Sequence, residues 1–195
     1  KQIEVQRISA NSALEPEETE IVAGGVFLLQ GVDAAEVICS MGVTTYGANA
    51  VPVDNWGTTD LWRVEGDIVS YGPSALGVVN AGSLGQLHVN GNIRTYGPGA
   101  KGCGIYGDAG EIRAGSIHTH GDAAIGVQIL GSLNRLVVDD GITTTGAPGR
   151  GLVKGVMLST PAHGVHIGKN GVLETLKVNN ITCLGADAEP LVRES

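Results

Sequence analysis

Aromatic residues are scarce in this 195-residue chain: four Tyr, two Trp and a single Phe. A core built on packed rings is thereby excluded, and the interior falls to Val, Ile, Leu and Ala. Basic residues are also few, 12 Lys and Arg against 20 Asp and Glu, for a net charge of −8. That excludes a general nucleic-acid binder, which needs a basic face to neutralise phosphates. No run of about 18 apolar residues occurs, so no segment reads as a membrane-spanning helix. Cysteines number three, Cys39, Cys103 and Cys183, and no two lie at metal-ligand or redox-motif spacing. An odd count does not make a disulfide framework. They are expected to be buried, reduced thiols that act as small hydrophobes. Unpaired thiols keep a cytoplasmic location open. The chain opens at Lys1 with no Met and no signal-like segment, as expected if a leader has been removed or if this is an excised piece.

Glycine, by contrast, is abundant at 31 residues, and it is periodic. Gly47, Gly72, Gly97, Gly121 and Gly146 close the phrases VTTYG, IVSYG, IRTYG, IHTHG and ITTTG, at intervals of 25, 25, 24 and 25. A sixth phrase, ITCLG, closes at Gly185. Counting from each leading glycine brings further columns into register. Three places on stand Ala50, Ala75, Ala100, Ala124 and Gly149, and five places on Pro52, Gly77, Gly102, Gly126 and Gly151. Six places on stand Val53, Val78, Cys103, Val127 and Leu152. Apolar pairs two residues apart follow: Trp62/Val64, Leu87/Val89, Ile112/Ala114, Leu136/Val138 and Leu176/Val178.

A fixed period of this size marks a stacked architecture. Spacing of two within the apolar pairs is strand periodicity, and no stretch carries a helical stripe. The expected fold is therefore all-β: a single parallel β-helix with about 25 residues and three short strands per coil. Glycine is expected at the corners because it reaches positive φ without steric cost. Parallel crossovers favour a right hand. Residues 1–22 lack the repeat, end in an acidic cluster and read as an N-terminal cap. Residues 23–195 read as coils, with an insertion around 157–171. The final coil reads as open, which suits an oligomer or a longer solenoid.

The fullest version of the phrase is Ile117-His-Thr-His-Gly-Asp-Ala-Ala-Ile-Gly-Val127, and Ile93–Cys103 departs from it only at the last position. Over roughly residues 43–188 the chain resembles the repeats of bacterial autotransporter and adhesin passenger domains, which are right-handed β-helices. The resemblance implies a bacterial, secreted or cell-surface protein, and such passengers include adhesins, toxins and enzymes. The same coil also carries polysaccharide lyases, hydrolases and phage tail-spike domains.

Residues flanking the inward Ile and Thr of the closing phrase should point outward. One such column reads Tyr46, Tyr71, Tyr96, His120 and Thr145, and its neighbour Thr44, Val69, Arg94, His118 and Thr143. Tyr46, Tyr71, Arg94, Tyr96, His118 and His120 are accordingly the expected ligand-binding residues. Rings offer apolar contact to sugars, and Arg and His hydrogen-bond hydroxyls or carboxylates. His118 and His120 share a strand face, but nothing beside them completes a metal set except the nearby Asp122, so no metal is expected. His163 and His166 fall in the insertion and read as exposed loop histidines. A third column, Arg63, His88, Arg113, Val137 and Lys177, beside Glu65 and Asp139, reads as a solvated wall of ion pairs.

The expected function is a non-catalytic surface, adhesion or carbohydrate-interacting scaffold, with a glycan or other extracellular ligand as partner and no cofactor. The alternative is a polysaccharide lyase or hydrolase, or an isomerase, on the same coil. Its catalytic residues would come from His118, His120 and Asp122.

Overall fold

A computed structural model describes residues 2–6, 8–11, 23–153 and 156–195, and every structural statement below concerns these. Among them there is no helix. Parallel strands stack into a β-solenoid of about seven coils, roughly 25 residues apart. Each coil has three faces. The first carries Ala50–Asn55, Leu76–Asn80, Lys101–Ile105 and Ile125–Ile129. The second carries Thr58–Val64, Ser83–Val89 and the opening halves of Asp108–Thr119 and Ser132–Thr144. The third carries Val43–Tyr46, Ile68–Ser70, Ile93–Thr95 and the closing halves of the same two long strands.

Each strand pairs in register with its equivalent one coil away. Leu87 lies opposite Trp62 and Ile112, and Ile93 opposite Ile68 and Ile117. The third face contributes an inward ladder of Val43, Ile68, Ile93, Ile117 and Ile142, all buried. Burying each such side chain stabilises the stack by about 1.5–3 kcal/mol. The Thr or Ser of the closing phrase also points inward, and in two coils its hydroxyl ties down the next corner. Thr119 Oγ1 donates to the Ala124 carbonyl at 2.9 Å, and Thr144 Oγ1 to that of Ala162. Two inward asparagines form a short polar ladder, Asn55 Nδ2 donating to Asn80 Oδ1 at 2.7 Å.

The corner glycines are present for a reason other than the expected one. Of the leading glycines only Gly47 has a positive φ (98°). A Cβ on Gly72, Gly97, Gly121, Gly146 or Gly185 would instead stand 1.5–1.9 Å from the carbonyl oxygen of the glycine one coil before it. The period of the sequence is thus the period of a close backbone approach. The left-handed position of the corner falls two residues later, at Asn49, Ser74, Gly99, Ala123 and Asp187, with φ between 53° and 68°.

The extra chain lies earlier than the column alignment implies. Gly149–Val153 and Val156–Thr160 form an antiparallel hairpin, and the coil resumes at Val165–Ile167 beside Ile125–Ile129. Ala162, Gly164 and Val165 therefore fill the columns that the alignment gave to Gly149, Gly151 and Leu152. The physical reason is in the next positions. Ala162-His-Gly-Val-His-Ile167 matches Ala124-Ile-Gly-Val-Gln-Ile129, whereas the phrase from Gly149 would set Lys154 in the inward column of Ile129. A charge there would be desolvated without a partner.

Residues 1, 7 and 12–22 of the expected cap lie outside the described residues. Gln2–Val5 and Ile8–Asn11 stack as coil strands on Asp33–Cys39 and Val43–Tyr46. In the last coil Leu173, Val178 and Ile181 are only partly buried. Cys183 keeps its inward column opposite Thr144 but is half-exposed, unlike the fully buried Cys39 and Cys103. The expectation that Cys183 is sealed in the core is corrected: among the described residues its strand is paired on one side only, with the strand of Thr144.

Candidate functional site

The third face presents the most regular outward surface. Tyr46, Tyr71 and Tyr96 are 43, 48 and 40% exposed, so their column is open to solvent. Successive rings of Tyr46, Tyr71, Tyr96 and His120 are parallel within 9°, with centroids 5.1, 5.0 and 4.8 Å apart. The strand spacing imposes this distance, because equivalent residues sit one rung apart. Each stacked pair contributes about 0.5–1.5 kcal/mol beyond its buried area.

Stacking changes what the ladder offers a ligand. Tyr71 and Tyr96 each have both faces covered by neighbouring rings. The exposed parts are ring edges, and the phenol hydroxyls repeat along the axis at the rung spacing. His120 continues the row, and Thr145 Oγ1 lies 3.4 Å from its Nδ1. The ring of His118 lies parallel to that of His120, with centroids 6.4 Å apart.

Arg94 is held in a short ion pair with Asp67, one rung away. Partial burial works to raise the Asp67 carboxyl, but the Asn92 backbone N–H at 2.8 Å and the Arg94 guanidinium outweigh it and hold the carboxyl below its usual range. The His118 imidazole is shifted down, first by burial and then by the positive charge of Arg94 and by His120. Near neutral pH the face therefore holds a compensated ion pair and an imidazole biased towards its neutral form. Asp67 was not among the residues singled out from sequence. The signal was available: two outward residues one rung and two positions apart are diagonal neighbours.

The six expected binding residues fall in two adjacent outward columns of one face. Asp122 turns to a different task, since its Oδ1 accepts the Ala147 backbone N–H at 2.8 Å and caps the following corner. Among the described residues no group of three or more His, Cys, Asp or Glu is placed to hold a metal ion. The wall expected on the second face is present, with Arg63 between Glu36 and Glu65 (2.9 and 3.2 Å), His88 and Arg135 on Glu111, and Arg113 on Asp139.

His163 and His166 are not loop residues on an exposed insertion. His163 is buried; its Nδ1 accepts the Glu189 backbone N–H at 3.1 Å, and its imidazole is shifted down by burial first and by His166 second. His166 lies within Val165–Ile167, its Nε2 3.0 Å from Glu194 Oε1. Both belong to the coil because the hairpin, not this segment, is the extra chain.

No family model matches the chain, and no curated protein or solved structure matches it.

Proposed function

We propose that the protein is a non-catalytic, carbohydrate-interacting β-solenoid with an adhesive role, and that an extended neutral glycan lies along the tyrosine–histidine ladder. The observation that carries this reading is the four-ring stack at 4.8–5.1 Å on an exposed face. A row of hydroxyl and imidazole groups at that interval is close to the rise per sugar of an extended glycan, so one hydrogen-bonding pattern repeats rung after rung. Neutrality of the ligand follows from charge. Arg94 is already matched by Asp67, and the His118 imidazole is shifted down. An acidic glycan would find the Arg94 guanidinium already matched by a carboxylate.

The test is a glycan-array screen of the full chain, run beside an assay for newly released reducing ends. Neutral linear glycans are expected to bind without being cleaved. Tyr71→Ala with Tyr96→Ala should weaken that binding roughly tenfold or more, since each removes a repeating contact of about 1 kcal/mol. Release of reducing ends that disappears with His120→Ala would replace the non-catalytic reading by the enzymatic one. Unchanged binding in the double variant would move the site off the ladder.

A further inference from the structure

A concavity lies on another face and uses none of the ladder residues. It is a shallow groove of about 330 Å³ on the opening part of the second face. Its floor is glycine: Gly85 and Gly110 occupy two successive rungs, bounded by Asp60 on the rung before and Asn134 on the rung after. A Cβ on Gly85 would stand 2.3 Å from the Asp60 carbonyl oxygen, and one on Gly110 2.4 Å from that of Gly85, so close stacking keeps this floor bare. Along one side run Thr58, Ser83, Asp108 and Ser132, in register on four consecutive rungs. The result is a trough two rungs long with hydroxyls on one wall and a carboxylate at each of two diagonal positions.

Charge separates this trough from the rest of its face. Arg63, Arg113 and Arg135 on the same sheet are each matched to a carboxylate. No ion pair among the described residues reaches Asp60 or Asp108, and both are exposed. The two stand two rungs and two strand positions apart, about 12 Å on the diagonal at ordinary strand spacing and rise, a gap the two side chains narrow by leaning towards the trough. One metal ion cannot bridge that distance. An organic dication can. In an extended β-1,4-linked oligomer, substituents on alternate sugars face the same way, and their separation is near two rungs. We infer that this groove binds an amino-sugar oligomer, with ammonium groups on alternate sugars paired to Asp60 and Asp108. The intervening ring lies over the glycine floor, and hydroxyls distributed along the oligomer meet Thr58, Ser83, Ser132 and Asn134.

The probe is the fully deacetylated tetramer of β-1,4-linked glucosamine. It is titrated calorimetrically into the full chain at mildly acidic pH and low ionic strength, where its amines are charged. The Asp60→Asn/Asp108→Asn double variant should bind it at least roughly tenfold more weakly, with an unchanged melting temperature because both side chains are solvent-facing. In the Tyr71→Ala/Tyr96→Ala background, which removes the ladder as a site for neutral glycans, the N-acetylated tetramer should be weaker than the charged one by a similar factor, and added salt should weaken the charged probe. Tyr71→Ala/Tyr96→Ala should leave the affinity as it was. No detectable binding of the charged tetramer, or equal binding by the double aspartate variant, overturns the proposal. Loss of binding in the tyrosine variant also overturns it, by assigning the ligand to the ladder. Spermidine distinguishes the source of the cation: tighter binding of this bare polyamine than of the tetramer would overturn the assignment to a sugar.

Discussion

If the leading glycines serve close approach and not turn geometry, Gly121→Ala should be among the most damaging single-methyl changes in the molecule. Its Cβ would stand 1.9 Å from the Gly97 carbonyl oxygen, 2.3 Å from the Gly97 carbonyl carbon and 2.6 Å from the Pro98 nitrogen. All three atoms are backbone, so no rotamer change relieves the contact. Reaching ordinary van der Waals separation requires the two rungs to part by about 1.5 Å. Three hydrogen bonds bracket the site: His120 N–H to Thr95 at 2.9 Å, Gly99 N–H to Asp122 at 2.6 Å, and Ile125 N–H to Ala100 at 3.1 Å. That displacement takes them out of hydrogen-bonding range, at about 1 kcal/mol each, and also opens the 4.8 Å stack of Tyr96 on His120. The expected loss is about 3–5 kcal/mol, read as a fall in the urea midpoint followed by circular dichroism. Gly31→Ala is the control. Gly31 has φ +81° and no atom within 4 Å of a built Cβ, so that variant should lose only about 1–2 kcal/mol, the cost of a left-handed alanine. Equal losses in the two variants would refute the argument, because turn preference would then account for both.

Three further outcomes are expected. Ala124→Leu and Ala100→Leu force large side chains into positions with no exposed surface and should each cost about 1–3 kcal/mol; melting curves that overlay the wild type would refute the packing described here. A thiol reagent should label Cys183 alone in the native protein and all three cysteines after unfolding, because Cys39 and Cys103 are fully buried and burial pushes the Cys103 thiol up to about 12. Rapid native labelling of Cys103 would refute this. Burial, countered by the Trp56 indole N–H at 2.7 Å, raises the Asp54 carboxyl from 3.8 to about 7. The folded state then binds a proton that the unfolded state has lost, so stability should fall as pH rises from about 4 to about 7, by up to roughly 4 kcal/mol, and level off above. Asp54→Asn keeps an acceptor for Trp56 and should flatten that slope in denaturation curves taken across the window; an unchanged slope would rule Asp54 out as its source.

The stacked architecture was readable from the chain because a solenoid repeats one environment at one interval. Gly72, Gly97, Gly121 and Gly146 must all avoid the same carbonyl, and Ile68, Ile93, Ile117 and Ile142 must all fill the same interior, so each requirement is written several times over. The outward columns follow from the same register, and the ladder of Tyr46, Tyr71, Tyr96 and His120 was therefore predictable as a row. Tertiary structure decided what periodicity does not encode. The rings face one another at 4.8–5.1 Å and offer edges, which follows from side-chain rotation. Asp67 neutralises Arg94 through a diagonal contact between rungs. The hairpin at Gly149–Val153 and Val156–Thr160 leaves the stack because only the later phrase, ending at Ile167, keeps apolar side chains in both inward columns. The groove at Asp60 and Asp108 had no counterpart in the column analysis, since a trough arises where Gly85 and Gly110 place nothing between larger neighbours. Local sequence repeats specify position along and around the coil. The direction, spacing and charge balance of side chains on adjacent rungs depend on residues about 25 apart in sequence, and those meet only when the coils stack.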